Sequence, residues 1–179
     1  MTPRVAAMTR IVLGLVVVLL LAACTSDGGS DVEGSGDGPD ARTVKAEMDA
    51  EAEAVLPDLV GRLGGQFNGM QATFFERGGF GIWDYTASGS LLKPSGTMTE
   101  SLAAVEGILD QHGYAVETDD AQRRVTGTKG NVTVIAQASL LTAEKKGSGL
   151  NVRIGVSGIQ DGDDFAESAP AEDYLAYLR

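Results

Sequence analysis

Hydrophobic and polar residues alternate with a period of two in the second half of the chain. Over residues 132–141 and 150–160, apolar or small residues recur at every second position, at 132–140 and at 150–156. The positions between them include Thr133, Gln137, Ser139, Asn151, Arg153 and Ser157. Successive side chains of a strand point to opposite faces, so this alternation predicts strands with one buried and one solvated face. Shorter strands are predicted over 114–118 and 122–128. The four segments together predict an antiparallel meander.

Apolar residues recur at helical spacing in two other segments. The first is 43–63, where Pro57 is predicted to kink or divide the helix. The second follows a capping box in which Thr97 is the N-cap and Glu100 stands three residues later. This second helix is predicted to run to His112.

The segment between the two helices is predicted to be partly extended. Residues 82–92 indicate a strand that places Trp83 and Tyr85 on the same face. Residues 66–81 are less regular and predict at most a short strand through Phe75, followed by a glycine loop. The helices are the only apolar surface left to cover the buried sheet face. The predicted fold class is therefore α+β, a two-layer sandwich whose mainly antiparallel sheet is covered by two helices.

Composition divides the chain into four parts. The α+β domain is predicted over 43–165, and 166–179 is a tail with a possible short terminal helix. Residues 25–42 contain five Gly, three Ser and four Asp, with Val32 as their one branched aliphatic residue. Such a segment buries too little apolar surface to offset its ordering entropy, which predicts a flexible tether over 24–42.

The first 23 residues have the pattern of a signal peptide. Arg4 and Arg10 supply a positive start, and 11–23 is an uncharged apolar run. As a helix this run would span about 20 Å, short of the roughly 30 Å hydrocarbon core of a bilayer. The run is therefore interpreted as a signal-peptide core rather than a membrane span. A start at Met8 would leave the same pattern.

The apolar run ends in Leu21, Ala22, Ala23 and Cys24. This segment resembles the lipobox of bacterial lipoproteins, which has a Leu, two small residues and an obligatory Cys. The resemblance implies that the Cys24 sulfur receives a diacylglyceryl group and that a peptidase cleaves just before Cys24. The alternative is an ordinary secretory signal in which Cys24 is incidental.

The layout of the whole chain is similar to that of small actinobacterial lipoproteins, a likeness that implies no activity. Two acyl chains hold a protein on a membrane stably, whereas one does so only marginally. A diacylglyceryl cysteine supplies two, and a third acyl chain on the freed amine is left open. The expected location is the outer face of the cell membrane.

Charge limits the partners that the protein is expected to bind. The chain has 14 basic and 25 acidic residues, a formal charge of −11, and without the signal peptide 12 basic residues remain, which gives −13. This balance argues against nucleic acid as a partner and against attraction to anionic lipid headgroups. Arg123 and Arg124 are predicted to point to opposite faces of one strand, with one of them pairing outward with a carboxylate.

Residues for catalysis or metal binding are sparse. Cys24 is the sole cysteine and His112 the sole histidine, which excludes an internal disulfide and argues against a zinc site or a Cys/His catalytic pair. No metal or cofactor is expected. The candidates for an envelope enzyme, which no spacing links, are Asp84, Glu100, Asp110 and His112.

Aromatic residues are concentrated between positions 74 and 85. They predict core packing, or else an apolar cleft in which Trp83 and Tyr85 bind a ligand. The sequence therefore favours a lipid-anchored, non-enzymatic envelope protein that binds an unidentified partner, such as another envelope protein. The alternatives are a carrier that holds an apolar small molecule or lipid between sheet and helices, and an envelope enzyme.

Overall fold

The computed structural model describes most of the chain beyond the predicted tether. The described residues are 39–138, 149–160 and 164–179. They belong to one compact unit, Ser35–Arg179. Leu21, Ala22, Ala23, Cys24 and nearly all of the tether lie outside the described residues, so the anchor stays a prediction.

The described chain contains three α-helices, seven strands and a C-terminal 3₁₀ helix. The helices are α1 (Ala41–Leu63), α2 (Met98–Gln111) and α3 (Phe165–Ser168). The strands are β1 (Gln66–Glu76), β2 (Ile82–Leu92), β3 (Ala115–Asp119), β4 (Arg124–Lys129), β5 (Val132–Ala138), β6 (Leu150–Gln160) and β7 (Glu172–Asp173). The 3₁₀ helix spans Tyr174–Leu178.

All seven strands form one antiparallel sheet in the order β3-β4-β5-β6-β2-β1-β7. The run from β3 to β6 is the predicted meander. Helices α1 and α2 contact each other and the sheet, and one apolar core lies between the two layers. The predicted α+β two-layer sandwich is confirmed.

Helix α1 begins at Ala41, two residues earlier than predicted and within the segment assigned to the tether. The cause is Asp40, whose carboxylate accepts a 2.9 Å hydrogen bond from the Thr43 N–H and so caps the helix. The helix is not divided at Pro57. Val55 before the proline and Leu59 after it are both fully buried, so packing holds both halves against the sheet.

Strand β1 has eleven residues, which corrects the prediction of a short strand preceded by irregular chain. A β-bulge near Gly69, which has a φ of 77°, interrupts the register with β2. The bulge leaves Phe67 and Met70 both buried although they are three residues apart. The sequence therefore lacks the period-two pattern by which a strand is recognised.

The other elements match their predictions closely. Strands β2 and β6 have the predicted bounds, and Thr97 and Glu100 form both hydrogen bonds of the capping box. Arg123 is the exception, because it lies in the turn before β4 with a φ of 52° and not in the strand. The prediction that Arg123 and Arg124 occupy opposite faces of one strand is therefore wrong.

The C-terminal segment is part of the packed domain. Ala166 and Tyr174 are buried in the core, and Glu172 pairs with Ala72 at the edge of the sheet. The predicted terminal helix is present only as the 3₁₀ helix. Its first turn is capped by the Asp173 carboxylate, which accepts a 3.1 Å hydrogen bond from the Leu175 N–H.

Candidate binding surface on the open face of the sheet

The face of the sheet opposite the helices carries three rows of side chains that cross β4, β5, β6, β2 and β1. The central row contains Thr126, Ile135, Arg153, Ser88 and Gln71. The row on one side contains Arg124, Gln137, Asn151, Ser90 and Asn68. The row on the other side contains Thr128, Thr133, Gly155, Thr86 and Thr73. We call these fifteen residues the polar face.

None of the fifteen residues is buried, whereas their neighbours along the strands form the core. Eleven are Ser, Thr, Asn or Gln, two are arginines, and none is acidic. The same rows continue into acidic residues on the flanking strands, Glu117 and Asp119 of β3 and Asp173 of β7. At about 4.8 Å between strands and about 6.8 Å between rows, the polar face covers about 19 by 14 Å. It is a broad surface of hydrogen-bonding groups with little apolar area.

Arg153 lies at the centre of the polar face on β6. Its Nε donates a 2.9 Å hydrogen bond to the hydroxyl of Thr86 on the neighbouring strand. Its direct cross-strand neighbours are Ser88 and Ile135. Arg153 makes no ion pair with any described residue.

Arg124 lies in the adjacent row on β4. One Nη is 3.4 Å from a carboxylate oxygen of Asp119, which confirms that one of the two neighbouring arginines pairs outward. Its Nε is buried and has no hydrogen-bond acceptor among the described residues. Such an unpaired donor costs free energy, on the order of 1–3 kcal/mol, unless water or a ligand supplies the acceptor.

Two shallow depressions lie side by side on the polar face, with volumes of about 420 and 300 Å³. They share Ile135 and Arg153, and Arg124 lines the larger one. Gly155 lines the smaller depression, where it contributes no side chain. The described residues that line the two depressions include no Asp or Glu, and Arg153 lines both.

The end of β2 beyond the polar face holds a buried carboxylate. Oδ2 of Asp84 lies 2.6 Å from Nη2 of Arg77, and Oδ1 accepts a 3.1 Å hydrogen bond from the Gly158 N–H. Burial raises the pKa of Asp84, but the hydrogen bonds and the charge of Arg77 outweigh it and hold the pKa below its usual range. Asp84 is thus an ionised structural group.

Trp83 and Tyr85 both lie on the core side of the sheet, as predicted. Tyr85 is fully buried, and its ring stacks on Phe74 at 4.3 Å between centroids. Its hydroxyl donates a 3.2 Å hydrogen bond to Asp49 on α1, while Trp83 is partly buried against the core. Neither aromatic residue lines any of the three cavities found in the described part of the chain.

The largest cavity, about 840 Å³, is a groove between the start of α2 and the β3–β4 turn. Glu100, Glu106 and Asp120 line it together with Arg123. Glu100 is engaged by the Thr97 N–H and hydroxyl, and these hydrogen bonds lower its pKa. Acidic groups therefore border the groove. One of them, the Glu100 carboxylate at the start of α2, already accepts the hydrogen bonds of the capping box.

The side chains of the four enzyme candidates form no hydrogen bond with one another, although the His112 backbone N–H bonds to the Asp110 carbonyl at the end of α2. His112 faces Asp58 of α1, with 2.8 Å between Nε2 and Oδ2, and Asp110 is exposed near the end of α2. Glu100 caps the other end of that helix, and Asp84 is on β2. Among the described residues, no cluster of His, Cys, Asp and Glu is arranged to hold a metal ion.

Sequence reasoning identified the outward polar positions of β5 and β6 but not the surface that they form. The alternation shows that Gln137, Asn151 and Arg153 point away from the core. Only the pairing of β6 with β2, which are separated by α2 and three strands in the chain, brings Ser88 and Ser90 beside them. The sequence pattern that indicates this surface is the outward row of polar residues in each of the separate strands.

Comparison with known proteins gives no match to any family model, curated protein or solved structure. Within the described residues, no helix has both the length and the apolar character needed to cross a membrane.

Proposed function

We propose that this chain is a lipoprotein of the bacterial cell envelope and that its folded domain binds a partner through the polar face. The proposed lipid anchor is supported by the position of Cys24. This residue ends an uncharged apolar run, directly after Leu21, Ala22 and Ala23. A diacylglyceryl group on Cys24 would supply two acyl chains, enough for stable attachment.

The composition and length of the predicted tether support a folded domain that is held at a distance from the bilayer. From Thr25 to Pro39 the chain is rich in Gly, Ser and Asp, and α1 begins shortly after it. A Gly-rich segment of this length has a root-mean-square reach of about 20–25 Å. The side-chain charge of −13 after cleavage also opposes contact with anionic headgroups.

The polar face supports a binding role for the domain. It combines hydrogen-bonding side chains with the positive charge of Arg153, which makes no ion pair with any described residue. The candidates for catalysis are instead dispersed, and Asp84 and Glu100 are engaged in structural hydrogen bonds. We therefore propose that the protein is not an enzyme and that envelope partners meet it at the open side of the sheet.

Relocation of the thiol tests the anchor. The test variant is Cys24→Ser, and its matched control is Cys24→Ser combined with Ser30→Cys, which keeps one cysteine but moves it out of the lipobox. We expect the wild-type chain to incorporate labelled palmitate and to partition into the detergent phase. Both variants should lose the label and accumulate as precursor or in the medium.

Labelled, membrane-bound protein in the Cys24→Ser variant would overturn the proposal. Palmitate labelling of the relocated Ser30→Cys thiol at the wild-type level would also overturn it, because lipidation would then be independent of the lipobox position.

A further inference from the structure

We propose that the polar face binds an anionic polysaccharide, a chain of sugars that carries carboxylate or phosphate groups, and that Arg124 and Arg153 contact those groups. The inference rests on the proposed function, because a domain anchored outside the membrane is exposed to the polymers of the envelope. The ligand class is argued from charge, from unpaired donors and from the small apolar area of the face.

Charge complementarity favours an anionic ligand. The whole chain carries a formal charge of −11, yet the described residues that line the two depressions include Arg153 in both, Arg124 in the larger one, and no Asp or Glu. From the strand spacing, the two arginines are about 12 Å apart at their Cα atoms. Both line the larger depression, so two anionic groups of one chain can be contacted at once.

Arg153 has donors available for a ligand. Among the described residues it uses only its Nε, toward Thr86, whereas the Nε of Arg124 is buried and one of its Nη atoms lies 3.4 Å from Asp119. Arginine binds carboxylate and phosphate oxygens through paired N–H donors. An anionic ligand in the larger depression would supply acceptors to the Nη groups of Arg153, which bond to no described residue.

The remaining side chains of the face favour sugars over a protein partner. Hydroxyl and amide groups surround the arginines, and they match the many donors and acceptors of a polysaccharide. Protein–protein interfaces instead depend on a few buried aromatic or large apolar anchors. Ile135 is the single apolar residue larger than Gly among the fifteen, so the middle of the face has no such anchor. The exposed Phe75 and Leu92 lie at its margins, two positions beyond Thr73 and Ser90 on their strands.

The shape of the face favours an extended ligand. Its two depressions share Ile135 and Arg153, and the face spans about 19 Å across five strands. A polymer of several sugar residues would follow this path, whereas one sugar would cover only one depression. The repeated hydroxyls of Thr86, Thr133 and Ser88 lie along it.

The test uses the full chain, extracted from membranes in detergent, and measures its binding to soluble polymers by calorimetry. The anionic probes are polygalacturonate, which carries carboxylates, and phosphorylated dextran. Neutral dextran tests the need for charge, polyglutamate tests an acidic protein segment, and a peptide of residues 25–42 tests the acidic tether of this chain. The variants are Arg153→Gln, Arg153→Lys and Arg124→Lys, and the matched control is Arg62→Gln at the exposed end of α1.

We expect binding to one or both anionic polysaccharides that weakens about tenfold in Arg153→Gln, less in Arg153→Lys, and less than twofold in Arg62→Gln. Arg124→Lys keeps the charge but removes the Nε donor, so a loss of about threefold or more is expected. The better-bound polymer identifies the anionic group.

Four results would overturn the inference: no binding of either anionic polysaccharide, equal binding of neutral dextran, tighter binding of polyglutamate, or tighter binding of the tether peptide. None of them affects the Cys24 experiment, so failure of the ligand class and failure of the anchor are distinguishable.

Discussion

The hydroxyl of Tyr174 donates a 2.6 Å hydrogen bond to Oδ1 of Asp49, and this bond joins the C-terminal 3₁₀ helix to the middle of α1. Tyr85 donates to the same oxygen at 3.2 Å, and Lys45 lies 2.6 Å from Oδ2. Lys45 also bonds to Glu172 at 3.2 Å. The last residues of the chain are thus fixed by a partly buried polar cluster as well as by apolar packing.

Removal of the Tyr174 hydroxyl should destabilise the protein. Because Asp49 would lose a short hydrogen bond in a partly buried cluster, we expect Tyr174→Phe to lower the free energy of unfolding by about 1.5–3 kcal/mol. Urea denaturation measures the change. Tyr177→Phe is the matched control, since no described residue accepts a hydrogen bond from that hydroxyl, and an equal loss in the control would contradict the assigned role.

Alkaline pH should unfold the protein as its tyrosines ionise. Burial raises the pKa of Tyr85 to about 12, and burial with a hydrogen bond to Asp49 or Glu51 raises the pKa values of Tyr174 and Tyr114 further. Folding therefore favours the neutral phenols. Their contribution to stability is complete below the unfolded pKa of about 10 and is lost as pH rises through the folded values.

Absorbance at 295 nm follows this ionisation. We expect most of the phenolate signal of the folded chain to appear above pH 11 and to coincide with loss of circular dichroism. In urea the same chain should titrate near pH 10. Complete ionisation at pH 10 with the fold intact would contradict the assigned burial.

Low pH should lower the stability of the protein because it protonates Asp84, which lies near the start of β2. The lowered pKa of Asp84 means that its ionised form stabilises the fold above the unfolded pKa, near 4, and that this contribution is lost as pH falls through the folded value. Wild type should therefore lose more stability than Asp84→Asn between pH 5 and 2. Unfolding by urea at several pH values measures this, with exposed Asp110→Asn as control. If the stability of Asp84→Asn depended on pH as strongly as that of wild type, the stabilising role of ionised Asp84 would be contradicted.

Two glycines give opposite predictions for substitution by alanine. A Cβ on Gly127 of β4 would lie 2.9 Å from Leu109 and 3.2 Å from Tyr114, whereas a Cβ on Gly107 of α2 meets nothing within 4 Å. We expect Gly127→Ala to destabilise by about 1–3 kcal/mol and Gly107→Ala to stabilise by up to about 1 kcal/mol. Thermal unfolding compares them, and equal melting temperatures would show that α2 does not pack closely on β4.

Much of the fold follows from local patterns in the sequence. Strand β6 alternates from Leu150 to Ser157, and the capping box of Thr97 and Glu100 marks the start of α2, so both were predicted well. Strand β1 was underestimated because its bulge shifts the buried positions out of period two. The 3₁₀ helix depends on Tyr174 reaching Asp49, a contact 125 residues away in sequence that no local pattern reports.

The candidate site was less predictable than the fold. Each strand shows which of its residues point outward, but the neighbours of Arg153 on the sheet are set by long-range strand pairing. One of Arg123 and Arg124 was predicted to pair outward, yet the unpaired Nε of Arg124 is visible only when the surrounding acceptors are placed. The pairing and register of the strands thus decide which outward residues become neighbours in a surface of several strands. No local sequence pattern specifies that pairing.

The N-terminal peptide of the membrane-extracted protein, analysed by mass spectrometry, tests the lipid anchor most directly. We expect a peptide that begins at Cys24 and carries a diacylglyceryl group, with or without a third acyl chain on its amine. A peptide that begins at another residue, or an unmodified Cys24 thiol in the membrane-bound protein, would contradict the anchor.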